Sequence, residues 1–490
     1  MTTIAIIDKR EFSSYAQSPW YKYSNTLEAV REKLSFVDSI YTLGYSDADL
    51  LIPQESSLHE IISVIHQMIT EPCWIIYADA QAPLCDSHLL QEMIETSKKY
   101  HVQYHFAEGY PKGWSFPIID SRILPLLLPL AMSSLIPHQD ASSNFFFEIM
   151  RPNLNDFDIE TTLSPKDLRL LRIDLRRNNK SNNTICHKFY DNGLTTTEAL
   201  MEQSSQLVTL SMGLPAYYNF QISSDCPQKC LYCPYPTMKT FNNHYMIDVS
   251  SFTLLLDKIV AFSGEAIIGL SLLGEPSLHP EFPHIMKSVL AHPSLKLHIE
   301  TSGIGWKEES LTTLTELDPT RFSLIVSLDG HNSHEYKQVR GDQFSEVQQF
   351  IDKILQIESL KNSIWIQRMR INELEDGLQL FYQTMKKRHP QLIIQKYHDY
   401  AGTLDKNLQI DLSPIHRHPC WALKREISIY PDGTIHLCRV DIYAQHILGN
   451  IYHNTLEEIW HNIQEIFLQH ANHIYPPICQ NCEEYYIYTF

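Results

Sequence analysis

From Pro215 to about residue 400 the chain repeats one pattern, an apolar run of strand length followed by a stretch whose apolar positions recur with helical spacing. The strand-like runs are residues 217–222, 266–273, 295–300, 322–327, 364–369 and 392–396. Between them lie amphipathic stretches at 251–262, 281–291, 308–317, 346–360 and 373–387. Strands of a parallel sheet are covered on both faces and therefore read as near-continuous apolar runs, and their alternation with helices predicts βα units. Six such units predict an α/β fold closing into a partial (β/α)6 barrel, with reactive groups gathered where the strands end.

A second alternating region precedes it. Strand-like runs at 4–7, 39–43 and 74–77 are separated by helix-period stretches, which predicts a separate α/β domain over residues 1–150. Residues 151–214 are polar and broken, with Arg176-Arg-Asn-Asn-Lys-Ser-Asn-Asn183 at their centre, and read as a connector that is partly helical around 167–175. At 490 residues the chain exceeds the roughly 250–300 residues at which one core stops growing. Four segments are expected: 1–150, the connector 151–214, 215–400 and 401–490.

Composition narrows the function. Hydrophobic residues at 43 % and aromatics at 11 % are those of a folded globular chain. A formal net charge of −18 opposes nucleic-acid binding, whose affinity comes from neutralised phosphates. The longest apolar run, 123–132, carries Pro125 and Pro129 and is far below spanning length, and the N-terminal apolar run is too short for a signal segment, so no membrane partner and a cytoplasmic location are expected.

Seven of the ten cysteines fall in two spaced groups, which suits metal ligation in a reducing compartment, while Cys73, Cys85 and Cys186 are scattered and read as plain buried cysteines. The first group, Asp225-Cys-Pro-Gln-Lys-Cys-Leu-Tyr-Cys-Pro234, follows the first barrel strand directly. Three thiolates from one loop, Cys226, Cys230 and Cys233, leave one corner of a four-iron cluster open to a small molecule, whereas an electron-transfer cluster has all four closed. A zinc knot completed by His244 is the alternative use of these thiols.

This loop, with the aromatic Tyr232 before its last cysteine, resembles that of the radical S-adenosylmethionine (SAM) superfamily. The resemblance implies that a [4Fe-4S] cluster binds SAM at its open iron and reductively cleaves it to a 5′-deoxyadenosyl radical, which abstracts hydrogen from a substrate. Gly274-Glu275-Pro276, ending the second strand, is similar to the family's Gly-Gly-Glu turn toward the SAM amino group, with Leu273 in place of the first glycine. Thr301-Ser302-Gly303 and the segment of Ser327 end the third and fourth strands, where the family sets contacts to SAM, and Arg340 resembles an arginine that pairs with the SAM carboxylate. The cofactor-binding set implied is Tyr232, Gly274, Glu275, Pro276, Ser302, Ser327 and Arg340.

The second group brackets residues 427–437, an alternating hairpin with a Pro-Asp-Gly turn. Cys420, Gly433, Cys438, Cys479 and Cys482 resemble the SPASM/twitch extension over about 415–485. No cysteine follows Cys482, so the resemblance implies one auxiliary [4Fe-4S] cluster; a four-thiolate zinc site is the alternative. SPASM/twitch relatives modify peptides or proteins or dehydrogenate small molecules, so an unknown substrate of either kind and an external electron donor such as flavodoxin or ferredoxin are expected. His398, Asp399 and Tyr400, after the sixth strand, are candidate proton acceptors.

Residues 74–86 and 108–113 resemble a nucleotidyltransferase, with Asp79 at that family's metal position. The glycine-rich loop after the first strand is missing, so a degenerate, non-catalytic domain is expected. The whole arrangement resembles the spiro-SPASM family. A non-catalytic iron-sulfur or zinc protein, or nucleotidyltransferase activity at 1–150, are the competing readings.

Overall fold

The structure, a computed structural model, describes residues 1–54, 56–132, 145–240, 243–389, 391–407, 413–414 and 417–486. It divides into two compact units, Met1–Gly213 and Leu214–Phe490.

In the first unit, strands β1 (Thr2–Asp8), β2 (Ser39–Gly44), β3 (Leu50–Leu51), β4 (Cys73–Asp79), β5 (Tyr104–Glu108), β6 (Ile118–Asp120) and β7 (Ile159–Leu163) form a sheet in the order β3-β2-β1-β4-β6-β5-β7. Alternate residues of β1 enter different cores: Ala5 and Ile7 join one apolar cluster and Ile4 and Ile6 the other. Both faces are therefore covered, which is why β1 reads as an unbroken apolar run. Cys85 and Cys186 are fully buried and Cys73 nearly so, as the scattered cysteines suggested.

The stretch 151–214 is more than a connector. It supplies β7 and the helix Lys180–Asp191, and its Leu175, Cys186 and Phe189 are core residues of the first unit. Helix over 167–175 shrinks to the short turn Arg169–Leu171. Arg177, from the most polar part of this stretch, is 1 % exposed. Its guanidinium donates to Asn183 Oδ1 at 2.7 Å, Thr26 Oγ1 at 3.0 Å and Ser18 Oγ at 2.9 Å, so the buried charge is satisfied by neutral oxygens. Polarity misled because a guanidinium can be buried when every donor finds an acceptor.

In the second unit, β8 (Tyr217–Phe220), β9 (Ala266–Leu270), β10 (Leu295–Thr301), β11 (Phe322–Ser327), β12 (Ile364–Arg370) and β13 (Leu392–Lys396) are parallel neighbours in chain order. The helices Val249–Ser263, Phe282–Leu290, Glu308–Glu316, Phe344–Leu355 and Leu378–Arg388 link them. Gly264 stops the first at φ +81°, a conformation that glycine adopts without penalty. The sheet does not end at β8: β14 (Glu426–Ile429) pairs parallel to it, and β15 (Thr434–His436) and β16 (Ile447–Asn450) continue antiparallel. The hairpin between Cys420 and Cys438 thus extends the barrel sheet itself.

This unit buries His436 and His470, each 1 % exposed, and burial pushes both imidazoles down to about 4. The unfolded chain keeps a histidine pKa near 6.5 and so binds more protons than the folded one between those values. Stability is full above that range and is lost as pH falls through it, by roughly 2 kcal/mol per histidine at pH about 5. The urea midpoint of the second unit is expected to drop between pH 7.5 and about 5, and to drop less in His470→Phe; equal shifts in both chains would remove His470 as the cause.

Candidate functional site

A cavity of about 240 Å³ lies at the C-terminal ends of the barrel strands, and Cys226, Cys230 and Cys233 all line it. Burial raises the three thiols above the ordinary cysteine range, Cys233 to about 12. A metal-free loop therefore holds protonated thiols, and binding of iron must displace those protons.

The loop is clamped from outside the motif. Leu231 N–H donates to Val339 O at 2.9 Å, and Gln228 Oε1 accepts from Arg340 Nη1 at 2.5 Å. Arg340 Nε donates to Asp329 Oδ2, which also accepts from the Tyr232 hydroxyl at 2.5 Å, while Asp329 Oδ1 accepts from Met369 N–H at 2.5 Å. Asp329 sits just beyond β11 at φ +58°, a left-handed conformation that Asp tolerates better than most residues. One buried carboxylate thereby ties together the cysteine loop, the helix Ser333–Val339 that precedes Arg340, and the end of β12.

Glu275 is a second hub. Its side chain, 2 % exposed overall, accepts from Thr301 Oγ1 at 2.6 Å, Ser302 Oγ at 2.6 Å and Ser302 N at 2.7 Å, while its own N–H donates to Asp225 O at 2.7 Å. Gly274 makes this approach possible: its φ is +78°, and a Cβ there would lie 2.1 Å from Ser223 O. Gly274→Ala must strain or move the loop segment just before Cys226, at about 1–3 kcal/mol for the backbone conformation alone. A lower Tm and less iron held by the loop are expected; wild-type values for both would show that the close approach is dispensable.

Of the residues proposed to contact SAM, Tyr232, Gly274, Glu275, Ser302, Ser327 and Arg340 line the cavity. Pro276 does not: it opens the buried turn Pro276–Leu278. The Ser302 hydroxyl is used on Glu275, and Arg340 is ion-paired to Asp329. His398 and Tyr400 line the cavity and Asp399 does not. His244 turns to Asp225, at 2.8 Å, with its side chain 79 % exposed. In the first unit Asp79 ends β4, accepts from Gln81 N–H at 2.9 Å and pairs with Arg176 at 3.5 Å.

Sequence reasoning missed Gln228, Glu300, Gln367, Gln395 and Arg439, which also line the cavity, and Asp329 behind it. The signal for Asp329 was available, an Asp-Gly pair at a strand end; Arg439 offered none beyond its place after Cys438.

The second cysteine group is gathered by the hairpin and the C-terminal turn. Cys420 caps the helix Trp421–Arg425, Cys438 follows β15, and Cys479 and Cys482 lie in and after the turn Pro477–Gln480. Burial raises all four thiols, Cys420 to about 12, and each also feels the charge of another member of the set, except that Cys482 feels Glu484. Arg417 Nη1 donates to Gln480 O at 3.0 Å, and its guanidinium lies over the rings of Tyr475 at 4.2 Å and Tyr485 at 4.9 Å, which pins the C-terminal turn. Gly433, at φ +81°, makes the hairpin turn. Arg439, next to Cys438, lines the cavity, whereas none of the second group's cysteines does.

The family model of the radical SAM superfamily matches residues 220–365, and that of SPASM, an iron-sulfur cluster-binding domain, matches 420–483. A protein of Treponema pallidum (strain Nichols), described as uncharacterized, is 33 % identical over 359 residues, 71 % of this chain and 99 % of its own. Among solved structures, BtrN in complex with AdoMet and 2-DOIA is 18 % identical with a TM-score of 0.38, over 55 % of this chain and 93 % of that one. Streptococcus suis SuiB bound to precursor peptide SuiA is 13 % identical with a TM-score of 0.42, over 54 % and 69 %. Native anSMEcpe with bound AdoMet is 17 % identical with a TM-score of 0.41, over 52 % and 82 %.

The chain belongs to the SPASM-containing branch of the radical SAM superfamily. It is a radical SAM enzyme, whose cofactors are SAM, a [4Fe-4S] cluster and auxiliary iron-sulfur. No helix among the described residues is long and apolar enough to cross a membrane.

Proposed function

We propose that Cys226, Cys230 and Cys233 hold the SAM-binding [4Fe-4S] cluster, that Cys420, Cys438, Cys479 and Cys482 hold one auxiliary cluster, and that the enzyme abstracts hydrogen from a peptide or small-molecule substrate in the cavity. The observation that carries this reading is the opening of all three loop thiols onto one cavity at the strand ends. The donor set fits the cluster: three soft sulfur ligands from one loop, with no fourth thiol among the residues lining the cavity. When bound, cluster and SAM supply a 5′-deoxyadenosyl radical that takes a hydrogen atom from the substrate.

The chain's own residues supply the rest. Gly274 brings the loop after β9 against the loop after β8, and Glu275 braces it to the end of β10. Ser327 and the backbone around Gly274 and Ser302 are left to meet SAM, with Tyr232 and Arg340 held beside them by Asp329. Tyr235, Leu272, Leu273 and Ile442 form an apolar cluster that excludes water from one side. Burial and Arg439 push His398 down to about 3, so it remains neutral at ordinary pH and stores no proton there. An external flavodoxin or ferredoxin provides the electron. The first unit has no catalytic role in this reading, since Asp79 is engaged by Arg176 and Gln81.

The test is anaerobic. The iron-loaded, reduced chain given SAM is expected to release 5′-deoxyadenosine and methionine; no product from a chain carrying both clusters would end the proposal.

A further inference from the structure

The C-terminal turn that brings in Cys479 and Cys482 is held by a cation. Arg417 Nη1 donates to Gln480 O at 3.0 Å and Nη2 donates to Cys479 O, while the guanidinium lies over the rings of Tyr475 and Tyr485. It makes no ion pair among the described residues, so its contacts there are carbonyl oxygens and ring faces, which solvate a guanidinium without cancelling its charge. Arg417 Nε is buried and has no hydrogen-bond partner among the same residues. At the first cysteine group, by contrast, Arg340 is matched by the carboxylate of Asp329.

A fixed positive charge beside a set of thiolates bears on how readily their cluster takes up an electron. Reduction adds one negative charge, and the net charge around the cluster, hydrogen bonds to its sulfurs and solvent exposure set the potential. A nearby cation stabilises the reduced form more than the oxidised one, the more so where partial burial limits screening by water and salt. The charge of Arg417 reaches both Cys479 and Cys482. Carboxylates act on the same sulfurs, Asp441 on Cys479, and Glu484 and Asp399 on Cys482. They stay in place when Arg417 is replaced, so the direction of the change follows from Arg417 alone, whatever the sum of charges around the turn. Glu484 N–H donates to Cys482 Sγ at 3.4 Å, which favours an electron-rich sulfur for the same reason, and Arg417 Nε–H is a further donor at this turn.

We infer that Arg417 is a positioning residue of the auxiliary cluster that raises its reduction potential, so that an electron from a flavodoxin- or ferredoxin-type donor is held there more readily than it would be without this cation. Arg417 precedes Cys420 and lies outside the stretch 420–483 that the SPASM family model matches. The inference rests on the proposed function for assigning the four cysteines to one cluster, and its test reads a potential rather than turnover.

The full-length chain with both clusters loaded is titrated anaerobically with dithionite and redox mediators. Electron paramagnetic resonance follows the auxiliary cluster as the reduced signal that SAM leaves unchanged. Arg417→Gln, which keeps an amide donor and removes the charge, is expected to move its midpoint to more negative potential, with the reduced-to-oxidised ratio at the wild-type midpoint falling several-fold. Arg417→Lys, which keeps the charge and loses the planar fork, is expected to stay near the wild-type midpoint, although Tm falls in both variants. An unchanged midpoint in Arg417→Gln, or equal shifts in the two variants, would overturn the inference, since equal shifts mean that Arg417 only holds the turn. Loss of the auxiliary iron from both variants would overturn it in the same way; loss from Arg417→Gln alone would support it, because charge is what separates the two. Zinc on the second cysteine set of the wild type, with iron for one cluster only, would remove the assignment of those cysteines and the inference with it.

Discussion

Cys230→Ala is expected to abolish 5′-deoxyadenosine formation while leaving the auxiliary iron in place. The middle thiol of the loop lies on the cavity, and two thiolates cannot hold a cluster that three present to SAM. The loss should reach at least about 10³-fold, the scale on which removal of an indispensable group acts. Iron per chain should fall by one cluster and no further, because Cys420, Cys438, Cys479 and Cys482, the proposed ligands of the auxiliary cluster, come from other elements. Persistent product in Cys230→Ala would sink the assignment of the loop, and loss of all iron would show that the two groups assemble together.

Asp329→Ala should be the most damaging change that touches no thiol. The Asp329 and Arg340 side chains are 1 % and 6 % exposed, and removing the carboxylate leaves a guanidinium buried without its counter-charge. Breaking such a pair costs about 3–5 kcal/mol. The same carboxylate accepts from Tyr232 and from Met369 N–H, so the cysteine loop should loosen and hold less iron. Asp329→Asn keeps an acceptor oxygen and should fall between the two chains. Chemical denaturation of the second unit reads the difference, and a wild-type midpoint in Asp329→Ala would mean that the ion pair does not hold the loop.

These two residues also mark how far the sequence could be read. Cys230 is visible in the sequence because the three proposed ligands of one cluster come from a single loop, so their spacing is a local property. Asp329 was not flagged, although its segment was, because its work lies in partners that come from three different elements. Arg340, which resembles an arginine that pairs with the SAM carboxylate, lines the cavity but is ion-paired to Asp329, and Pro276 belongs to a buried turn. For the same reason the polar stretch around Arg177 read as connector: sequence shows that a side chain is charged but not whether acceptors surround it.

What the sequence by itself determined is the alternation of doubly covered strands with amphipathic helices, hence the barrel, and the two cysteine groups, because both signals are written in short-range spacing. Only the tertiary structure decided that β14 pairs with β8, so that the second group continues the sheet whose first strand leads into the first. It alone decided that Arg340, although it lines the cavity, is ion-paired to Asp329. Strand pairing and the matching of buried charges depend on which distant groups exclude water from one another, and no local spacing records that.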